Sequence, residues 1–315
     1  MQHLVLVMAG SLLDRVLVQA IPVIPKAIVR PLSRRYIAGP SLADALAAIR
    51  GLGASGRAAT VDVLGEQLTS REQIAALVAE YGRALDAFAR DGLDATLSLK
   101  MTALGLKLDP ALCAENVRAI ADDARARSLA VELDMEDSTT TDATIDLYRS
   151  LREDGYDNVV IALQAYLRRS RDDVRGLLPL MPRVRLVKGI WIEPTSVAYS
   201  DSDAIRGSYV RLLDELLAAG AFVAVASHDE WIHWQALDAV DRHGRGADGY
   251  EFQMLLGVRE HLGDALVERG SRVRVYVPYG EDWHAYSVRR FKENPRLARH
   301  VAADIVARSR GRGGR

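Results

Sequence analysis

The chain has 315 residues, of which 49% are hydrophobic and 26% charged, and its formal net charge is −1. Such a balance gives no long-range attraction toward nucleic acid and is ordinary for a soluble globular protein. The length suits two average domains or one barrel of alternating strands and helices. The single cysteine, Cys113, excludes an intramolecular disulfide and a multi-cysteine metal site, and it fits a reducing compartment. Its amphipathic surroundings predict a buried position on a helix.

Residues 1–57 are predicted to form a helical segment that packs on the main domain. Its apolar runs, residues 4–13 and 16–25, are shorter than the roughly 20 residues that cross a bilayer. No basic stretch precedes them and no A-x-A site follows, which argues against a secretory signal. The basic residues from Lys26 to Arg35 make a membrane-touching surface the rarer interpretation. We expect a cytoplasmic protein, with peripheral contact at the inner face of the membrane as the alternative, and a disordered basic tail over residues 309–315.

Short β-like runs alternate with helical patterns from Ala58 onward. The eight runs cover residues 58–64, 95–99, 129–133, 159–163, 184–187, 221–226, 250–256 and 273–277. Helix starts are predicted at Thr69 or Ser70, Asp109-Pro110, Ser170 and Asp229-Glu230. Eight runs in strict alternation predict an α/β fold, a (β/α)8 barrel over residues 58–308 with extra N-terminal helices. An open doubly wound sheet is the competing topology, but its G-x-G-x-x-G fingerprint is absent.

Polar residues stand at or near the predicted strand ends, where barrel enzymes place their chemistry. They are Glu66, Lys100, Asp134, Glu136, Asp137, Gln164, Arg185, Lys188, Ser227, His228, Asp229, Gln253, Tyr276 and Tyr279. Strand tips are commonly polar, so any one of these residues is more simply explained as structural. Because such residues occur at all eight predicted strands, we expect a functional site at the opening of the barrel where the strands end, which we call the mouth.

The last predicted strand feeds a helix with one polar face. Tyr286, Arg289, Arg290 and Glu293 follow at i, i+3, i+4 and i+7, so a phenol, two guanidinium groups and a carboxylate share one side. Two adjacent arginines can clamp a carboxylate through their paired donors, which suits a small zwitterion. The plainer interpretation is a solvated helix face with an Arg–Glu pair, and this segment by itself favours it.

A metal site is one alternative at the mouth. His228, Asp229 and Asp134 could supply ligands. A hydrolytic barrel normally uses two or more histidines, and no H-x-H pair occurs in the chain. We therefore expect no metal.

Two further chemistries use side chains of the same strand ends. Lys100 or Lys188 could be the Schiff-base nucleophile of a lyase, and the sequence does not separate such a lysine from one that binds an anion. Asp134, Glu136 or Asp137 could serve two-carboxylate glycoside chemistry, but the opposite carboxylate is not evident.

Several segments resemble those of the proline dehydrogenase family. They are residues 131–137 (VELDMED), 163–169 (LQAYLRR), 185–189 (RLVKG), 251–257 (EFQMLLG) and 276–280 (YVPYG), followed by Arg289, Arg290 and Glu293. The resemblance covers residues 58–294, with the motifs in order at nearly every strand end. It implies a monofunctional FAD-dependent (β/α)8 barrel, an oxidoreductase that converts L-proline to Δ1-pyrroline-5-carboxylate and passes electrons to a membrane quinone.

The resemblance also implies roles for individual residues. Asp134 and Arg185 would be catalytic, with Arg185 against the flavin near N5. Substrate would be bound by Lys100, Leu255, Tyr276, Tyr286, Arg289 and Arg290. FAD would be held by Met135, Gln164, Arg185, Lys188, Gly189, Trp191, Ser227 and His228. Glu66 and Glu293 would gate the site, Glu66 through an ion pair with Arg289.

The chain departs from the family pattern at two positions. Trp191 stands where the family usually has tyrosine, so a phenol is lost, and Ser227 replaces threonine but keeps the hydroxyl. Tyr276 is retained, and its bulk predicts proline rather than 4-hydroxyproline as substrate. Because the chain ends soon after the barrel, we expect a separate pyrroline-5-carboxylate dehydrogenase to receive the product. No nucleic acid partner is expected.

Overall fold

The computed structural model describes residues 35–65, 68–284 and 286–287. Its strands are β1 Ala58–Val63, β2 Ala95–Leu99, β3 Val131–Leu133, β4 Val159–Gln164, β5 Arg183–Val187, β6 Phe222–Ala226, β7 Tyr250–Leu255 and β8 Val273–Tyr279. Its α-helices are α1 Leu42–Ala54, α2 Arg71–Arg90, α3 Pro110–Ala126, α4 Thr141–Glu153, α5 Ser170–Leu177, α6 Ser202–Ala218, α7 Glu230–Arg242 and α8 Glu260–Glu268. Helix α1 precedes the first strand, and α2 to α8 each connect two consecutive strands.

The strands close into a barrel in the order β1 to β8, and every neighbouring pair is parallel. The closing pair, β1 and β8, runs in register from Ala58 opposite Arg274 to Val63 opposite Tyr279. This closure confirms the predicted (β/α)8 barrel and excludes the open doubly wound sheet. The predicted strand runs are correct to within two residues at each end.

Side-chain caps begin three of the helices at the predicted residues. They are Ser70 before α2, Asp109 before α3 with Pro110 in the first turn, and Asp229 before α7. Ser170 behaves differently from the prediction, because α5 begins at this residue and its hydroxyl donates to the Gln164 carbonyl oxygen at 2.5 Å. The hydroxyl therefore ties the helix to the end of β4 instead of capping it.

The two faces of the strands have different chemistry. Outward side chains such as Val61 and Leu97 are fully buried in the apolar layer beneath the helices. Thr60, Glu132 and Gln253 lie on β1, β3 and β7, yet Glu132 accepts hydrogen bonds from both of the others. Strands that are not neighbours can touch only across the barrel axis, so these polar side chains fill its interior.

Helix α3 carries the single cysteine. The Cys113 side chain is buried in the apolar layer, as predicted, and its thiol donates to the Met101 carbonyl oxygen at 3.4 Å. Helix α1 also contributes to this layer through Leu46 and Ile49.

Within residues 35–65, 68–284 and 286–287, no helix combines the length and apolarity needed to cross a membrane. The two N-terminal apolar runs and the basic tail lie outside the described residues.

Candidate active site

Asp134, Arg185 and Tyr276 meet at the axis of the barrel, near the carboxyl ends of the strands. Arg185 donates through Nη2 to Oδ1 of Asp134, and the Tyr276 hydroxyl donates to Oδ2 of Asp134 at 3.0 Å. The guanidinium carbon of Arg185 lies 5.4 Å from the centre of the Tyr276 ring. Asp134 follows β3, whereas the other two residues belong to β5 and β8. The fold therefore joins residues that are more than 140 positions apart in sequence.

Lys100, which follows β2, adds a second cation to this group. Its ammonium forms an ion pair with Asp62 of β1 and lies 3.8 Å from Oδ2 of Asp134. The side chains of Lys100 and Asp62 are 14% and 1% exposed. A buried charge without a partner costs several kcal/mol of stability. Here each carboxylate has a cation beside it, which offsets the cost of burying these charges. We call Asp62, Lys100, Asp134, Arg185 and Tyr276 the mouth cluster.

The neighbouring charges set the protonation states in the mouth cluster. Burial raises the pKa of Asp134, but the charges of Arg185 and Lys100 outweigh it and bring that pKa below its ordinary value. Burial lowers the pKa of Lys100, but Asp62 and Asp134 outweigh it and raise that pKa. Burial, assisted by the charge of Asp134, raises the pKa of Tyr276 well above its ordinary value. At neutral pH the cluster holds an ionised Asp134, a charged Lys100 and a neutral phenol.

This charge state bears on the lyase alternative. A lysine nucleophile must be neutral to attack a carbonyl group, but Lys100 is held charged by two carboxylates. Lys188 is also paired, with its ammonium 2.5 Å from Oδ2 of Asp229. Neither lysine has the surroundings of a Schiff-base nucleophile.

The acid-rich segment after β3 does not form a pair of facing carboxylates. Glu136 accepts hydrogen bonds from the Thr102 backbone and hydroxyl at 2.9 and 2.5 Å, and Asp137 lies 3.4 Å from the Lys107 ammonium. Asp134 points instead to Arg185. The glycoside alternative therefore lacks its geometry. In the part of the chain that the structure describes, no group of three or more His, Cys, Asp or Glu residues is placed to hold a metal ion.

A second charged group lies at the rim, where β5 and β6 end. Asp229 accepts from Lys188 Nζ at 2.5 Å and from Arg206 Nε at 2.8 Å. Its backbone N–H donates to the Ser227 hydroxyl oxygen at 3.1 Å. Burial acts to raise the pKa of Asp229, but the hydrogen bonds from Arg206 and Lys188 lower it to about 2. The side chains of Lys188 and Arg206 are 37% and 39% exposed, so two cations face solvent beside the mouth.

The other predicted residues of strand ends β4, β6 and β7 are tied to neighbouring loops. Gln164 donates to the Glu136 carbonyl oxygen at 2.9 Å, and the Leu255 N–H donates to Nε2 of His228 at 2.8 Å. Met135 is buried and Trp191 is half-buried. Gly189 has φ of +106°, and a Cβ at this position would lie 2.0 Å from the Tyr166 ring. Only glycine fits this turn without displacing the ring.

Tyr279 and Tyr286 make contacts that the sequence did not predict. The Tyr279 side chain points away from the mouth, because its hydroxyl donates to Glu80 of α2 at 2.7 Å. Tyr286 is buried in an apolar cluster with Ile37 and Leu64. Glu66, Arg289, Arg290 and Glu293, which were predicted to gate the site and clamp the substrate, lie outside the described residues.

Sequence reasoning missed Asp62, Ser98, Glu132 and Arg206. Ser98 accepts from Arg185 Nη2 at 3.3 Å, and its hydroxyl oxygen lies 3.3 Å from that of Tyr276. A signal was present for the strand residues, because polar residues alternate with apolar ones within β1, β2 and β3. Alternation at period two places these polar residues on one face, the inner one. Nothing in the sequence singles out Arg206 on α6, since its role depends on the approach of α7.

The fold and the mouth cluster define a (β/α)8-barrel enzyme with a buried, charged site at the carboxyl ends of its strands. The family model for proline dehydrogenase matches residues 45–303. The chain is 38% identical over 279 residues to proline dehydrogenase of Deinococcus radiodurans, covering 87% of this chain and 90% of that protein. It is 36% identical over 274 residues to proline dehydrogenase 1 of Bacillus subtilis subsp. natto, with the same two coverages. The chain therefore belongs to the proline dehydrogenase family, a family of oxidoreductases in proline degradation.

A solved structure supports the same relationship. Proline utilization A from Bdellovibrio bacteriovorus, inactivated by N-propargylglycine, superposes with a TM-score of 0.80 at 25% identity. The match covers 85% of this chain and 33% of that one, so the chain spans about a third of that protein's length.

Proposed function

We propose that the chain oxidises L-proline to Δ1-pyrroline-5-carboxylate, with FAD accepting the hydride at N5 and a quinone receiving the electrons. This reaction would be the first step of proline degradation to glutamate. The observation that carries the proposal is the buried mouth cluster of Asp134, Arg185 and Tyr276, in a chain that belongs to this family.

The residues of the mouth fit a flavin dinucleotide. Two atoms of the Arg185 guanidinium are held by the protein, Nε by Oε2 of Glu132 at 3.2 Å and Nη2 by Asp134, so Arg185 would act on a bound group through its charge. Lys188 and Arg206 lie partly exposed at the rim and share Asp229, so the three side chains carry one net positive charge, which suits a diphosphate. Gly189, next to Lys188, has a positive φ, and the Tyr166 ring fills the space that a Cβ would need there. Met135, Gln164, Trp191, Ser227 and His228 would complete the site.

Asp134 and Tyr276 position Arg185 for this reaction. The ionised Asp134 fixes one edge of the guanidinium, and the neutral Tyr276 phenol fixes Asp134 by donating to its second oxygen. Because the Arg185 side chain is only 5% exposed, its charge acts in a medium that screens it poorly. A positive charge held there would stabilise negative charge that develops on a reduced group nearby.

The substrate carboxylate would be bound by Arg289 and Arg290, with Lys100 lining the pocket, while Leu255 and the Tyr276 ring pack against the pyrrolidine. Asp134 is a weak base because its pKa is lowered, so the amine nitrogen would lose its proton to solvent, and not to Asp134, before the hydride leaves. Tyr286 would line the pocket, and Glu66 and Glu293 would gate it. We further propose a cytoplasmic enzyme, with peripheral membrane contact as the alternative, whose product passes to a separate pyrroline-5-carboxylate dehydrogenase.

The test is an anaerobic absorbance spectrum of the purified chain before and after addition of L-proline. We expect a flavin spectrum that bleaches on addition, because hydride transfer reduces the isoalloxazine. With the Tyr276 side chain against the ring, 4-hydroxyproline should bleach it far more slowly. A colourless protein, or a flavin spectrum that L-proline leaves unchanged, would overturn the proposal. Trapping of a carbonyl substrate by borohydride would favour the lyase.

A further inference from the structure

We propose that Glu132 is a positioning residue of this site, whose buried carboxylate offsets part of the positive charge of Arg185 and thereby lowers the reduction potential of the bound flavin. The inference rests on the proposed function, because it places the flavin beside Arg185. The sequence gives Glu132 no role of its own, and it does not belong to the mouth cluster.

Glu132 approaches Arg185 from below the mouth cluster. It stands two residues before Asp134, so both side chains point to the interior of the barrel. Its Oε2 atom lies 3.2 Å from Nε of Arg185, while Asp134 holds Nη2. The two atoms are within ion-pair distance but are not aligned as a hydrogen bond. The link between Glu132 and Arg185 is therefore mainly one of charge.

The orientation of Glu132 is fixed by its other oxygen. Oε1 accepts from the Thr60 hydroxyl at 2.9 Å, from the Thr96 hydroxyl at 3.1 Å and from the Gln253 amide at 3.1 Å. These donors come from β1, β2 and β7. Three donors on one oxygen leave Oε2 facing Arg185. The side chain is 1% exposed, so solvent does little to screen its charge.

Glu132 also decides the net charge around Arg185. The mouth cluster and Glu132 together contain three carboxylates, those of Asp62, Glu132 and Asp134, against the two cations Lys100 and Arg185. Asp62 and Lys100 neutralise one another, and Asp134 alone would neutralise Arg185. Arg274 also interacts with Glu132, but Arg274 is paired with Glu251 at 2.9 Å, so Glu132 supplies an excess negative charge beneath the Arg185 guanidinium. Burial acts against the charged form of Arg185, but Asp134 and Glu132 outweigh it and raise its pKa.

A flavin gains negative charge when it is reduced, so a fixed negative charge nearby opposes reduction. Replacing Glu132 by glutamine keeps the shape of the side chain and removes the charge. At a separation of several ångströms through poorly screened protein, one charge should change the reduction equilibrium by roughly tenfold. For a two-electron couple, this factor is a rise of about 30 mV in the reduction potential.

The experiment is spectroelectrochemical titration of the flavin-loaded full chain, comparing wild type, Glu132→Gln and Thr96→Val. Thr96→Val is the matched control, because it removes one hydrogen bond to Glu132 without changing any charge. We expect Glu132→Gln to raise the reduction potential of the flavin by about 30 mV. Thr96→Val should change the equilibrium constant for reduction by less than about twofold relative to wild type. An unchanged potential in Glu132→Gln, or an equal shift in Thr96→Val, would overturn the inference.

Failure of this inference is distinguishable from failure of the proposed function. A wild-type chain without flavin contradicts the proposed function, and the inference with it. A wild-type chain that bleaches with L-proline, together with a Glu132→Gln potential that does not move, contradicts the inference alone. Should Glu132→Gln fail to fold, Glu132→Asp keeps the charge but withdraws it from Arg185, and a smaller rise is expected. No rise in that variant, or failure of both variants to fold, would overturn the inference in favour of a purely structural role.

Discussion

Asp229 shows how one residue can organise the rim of the barrel. It caps α7 by accepting from the Trp231 N–H at 3.2 Å, and its other oxygen holds Lys188 and Arg206. The cap fixes the position of the carboxylate, and the carboxylate in turn fixes both cations. A residue whose local role is to begin a helix thus also arranges the charges beside the mouth.

Replacing Asp229 by asparagine should change the pH dependence of stability. The pKa of Asp229 is lowered to about 2 in the folded chain, so its ionised form stabilises the fold above its ordinary pKa of 3.8. That contribution is lost as the pH falls through about 2. We expect Asp229→Asn to lower the free energy of unfolding at pH 7 by about 1 kcal/mol, a value that includes solvent screening at the rim. On acidification the variant should lose less stability than wild type does, because it lacks the carboxylate that becomes protonated. Urea denaturation at pH 7 and pH 3 measures both effects.

The control for this prediction is Asp203→Asn. Asp203 also pairs with Arg206, at 3.4 Å, but its side chain is 85% exposed. Its replacement should change stability by less than about 0.5 kcal/mol. Equal losses of unfolding free energy in the two variants would show that burial does not strengthen the ion pairs of Asp229.

At the scale of elements, the turn after β5 depends on backbone conformation. Gly189 combines φ of +106° with a contact that leaves no room for a Cβ, since the Tyr166 ring would be 2.0 Å away. Gly92 after α2 also has a positive φ, +60°, but nothing lies within 4 Å of its Cβ position. Alanine substitutions at the two glycines therefore distinguish the cost of backbone strain from the cost of steric conflict.

Gly189→Ala should therefore cost more stability than Gly92→Ala. We expect a loss of about 3 kcal/mol or more for Gly189→Ala, because strain and overpacking act together. The expected loss for Gly92→Ala is about 1 kcal/mol, from the left-handed backbone alone. Thermal and urea denaturation of both variants provide the comparison. Similar losses would mean that the Tyr166 ring moves aside at little cost.

At the scale of the whole molecule, a chain of polar contacts runs through the barrel interior. Gln253 donates to Glu132 at 3.1 Å and to Glu251 at 2.9 Å, and Glu251 accepts from Arg274 Nε at 2.9 Å. Arg274 also donates to the Ala59 carbonyl oxygen at 2.8 Å. These contacts connect β3, β7, β8 and β1, so the closure of the barrel and the burial of its charges depend on each other.

Removing one partner of this interior chain should be more harmful than removing both. Arg274 and Glu251 are 5% and 4% exposed, so Arg274→Met leaves the buried Glu251 to the half-exposed Arg272, 3.2 Å away, and should cost about 3 kcal/mol or more. Adding Glu251→Leu should recover part of that loss. The same double-mutant cycle at the exposed pair Arg125 and Asp122, which are 47% and 52% exposed, should give a coupling below about 0.5 kcal/mol. Urea denaturation of each set gives the coupling energies, and equal couplings would contradict the argument.

The sequence by itself determined the barrel and much of its mouth. Local signals were sufficient for this, because strand runs, caps such as Ser70 and Asp109, and strand-end residues such as Asp134 are set by neighbours in the chain. The tertiary structure alone decided which polar residues meet. Pairing of β1 with β2 brings Asp62 to Lys100, whereas Glu132 on β3 and Arg185 on β5 meet across the axis of the closed barrel. The interactions between these charges are strong because the charges are buried, and burial is a property of the closed barrel and not of any one segment.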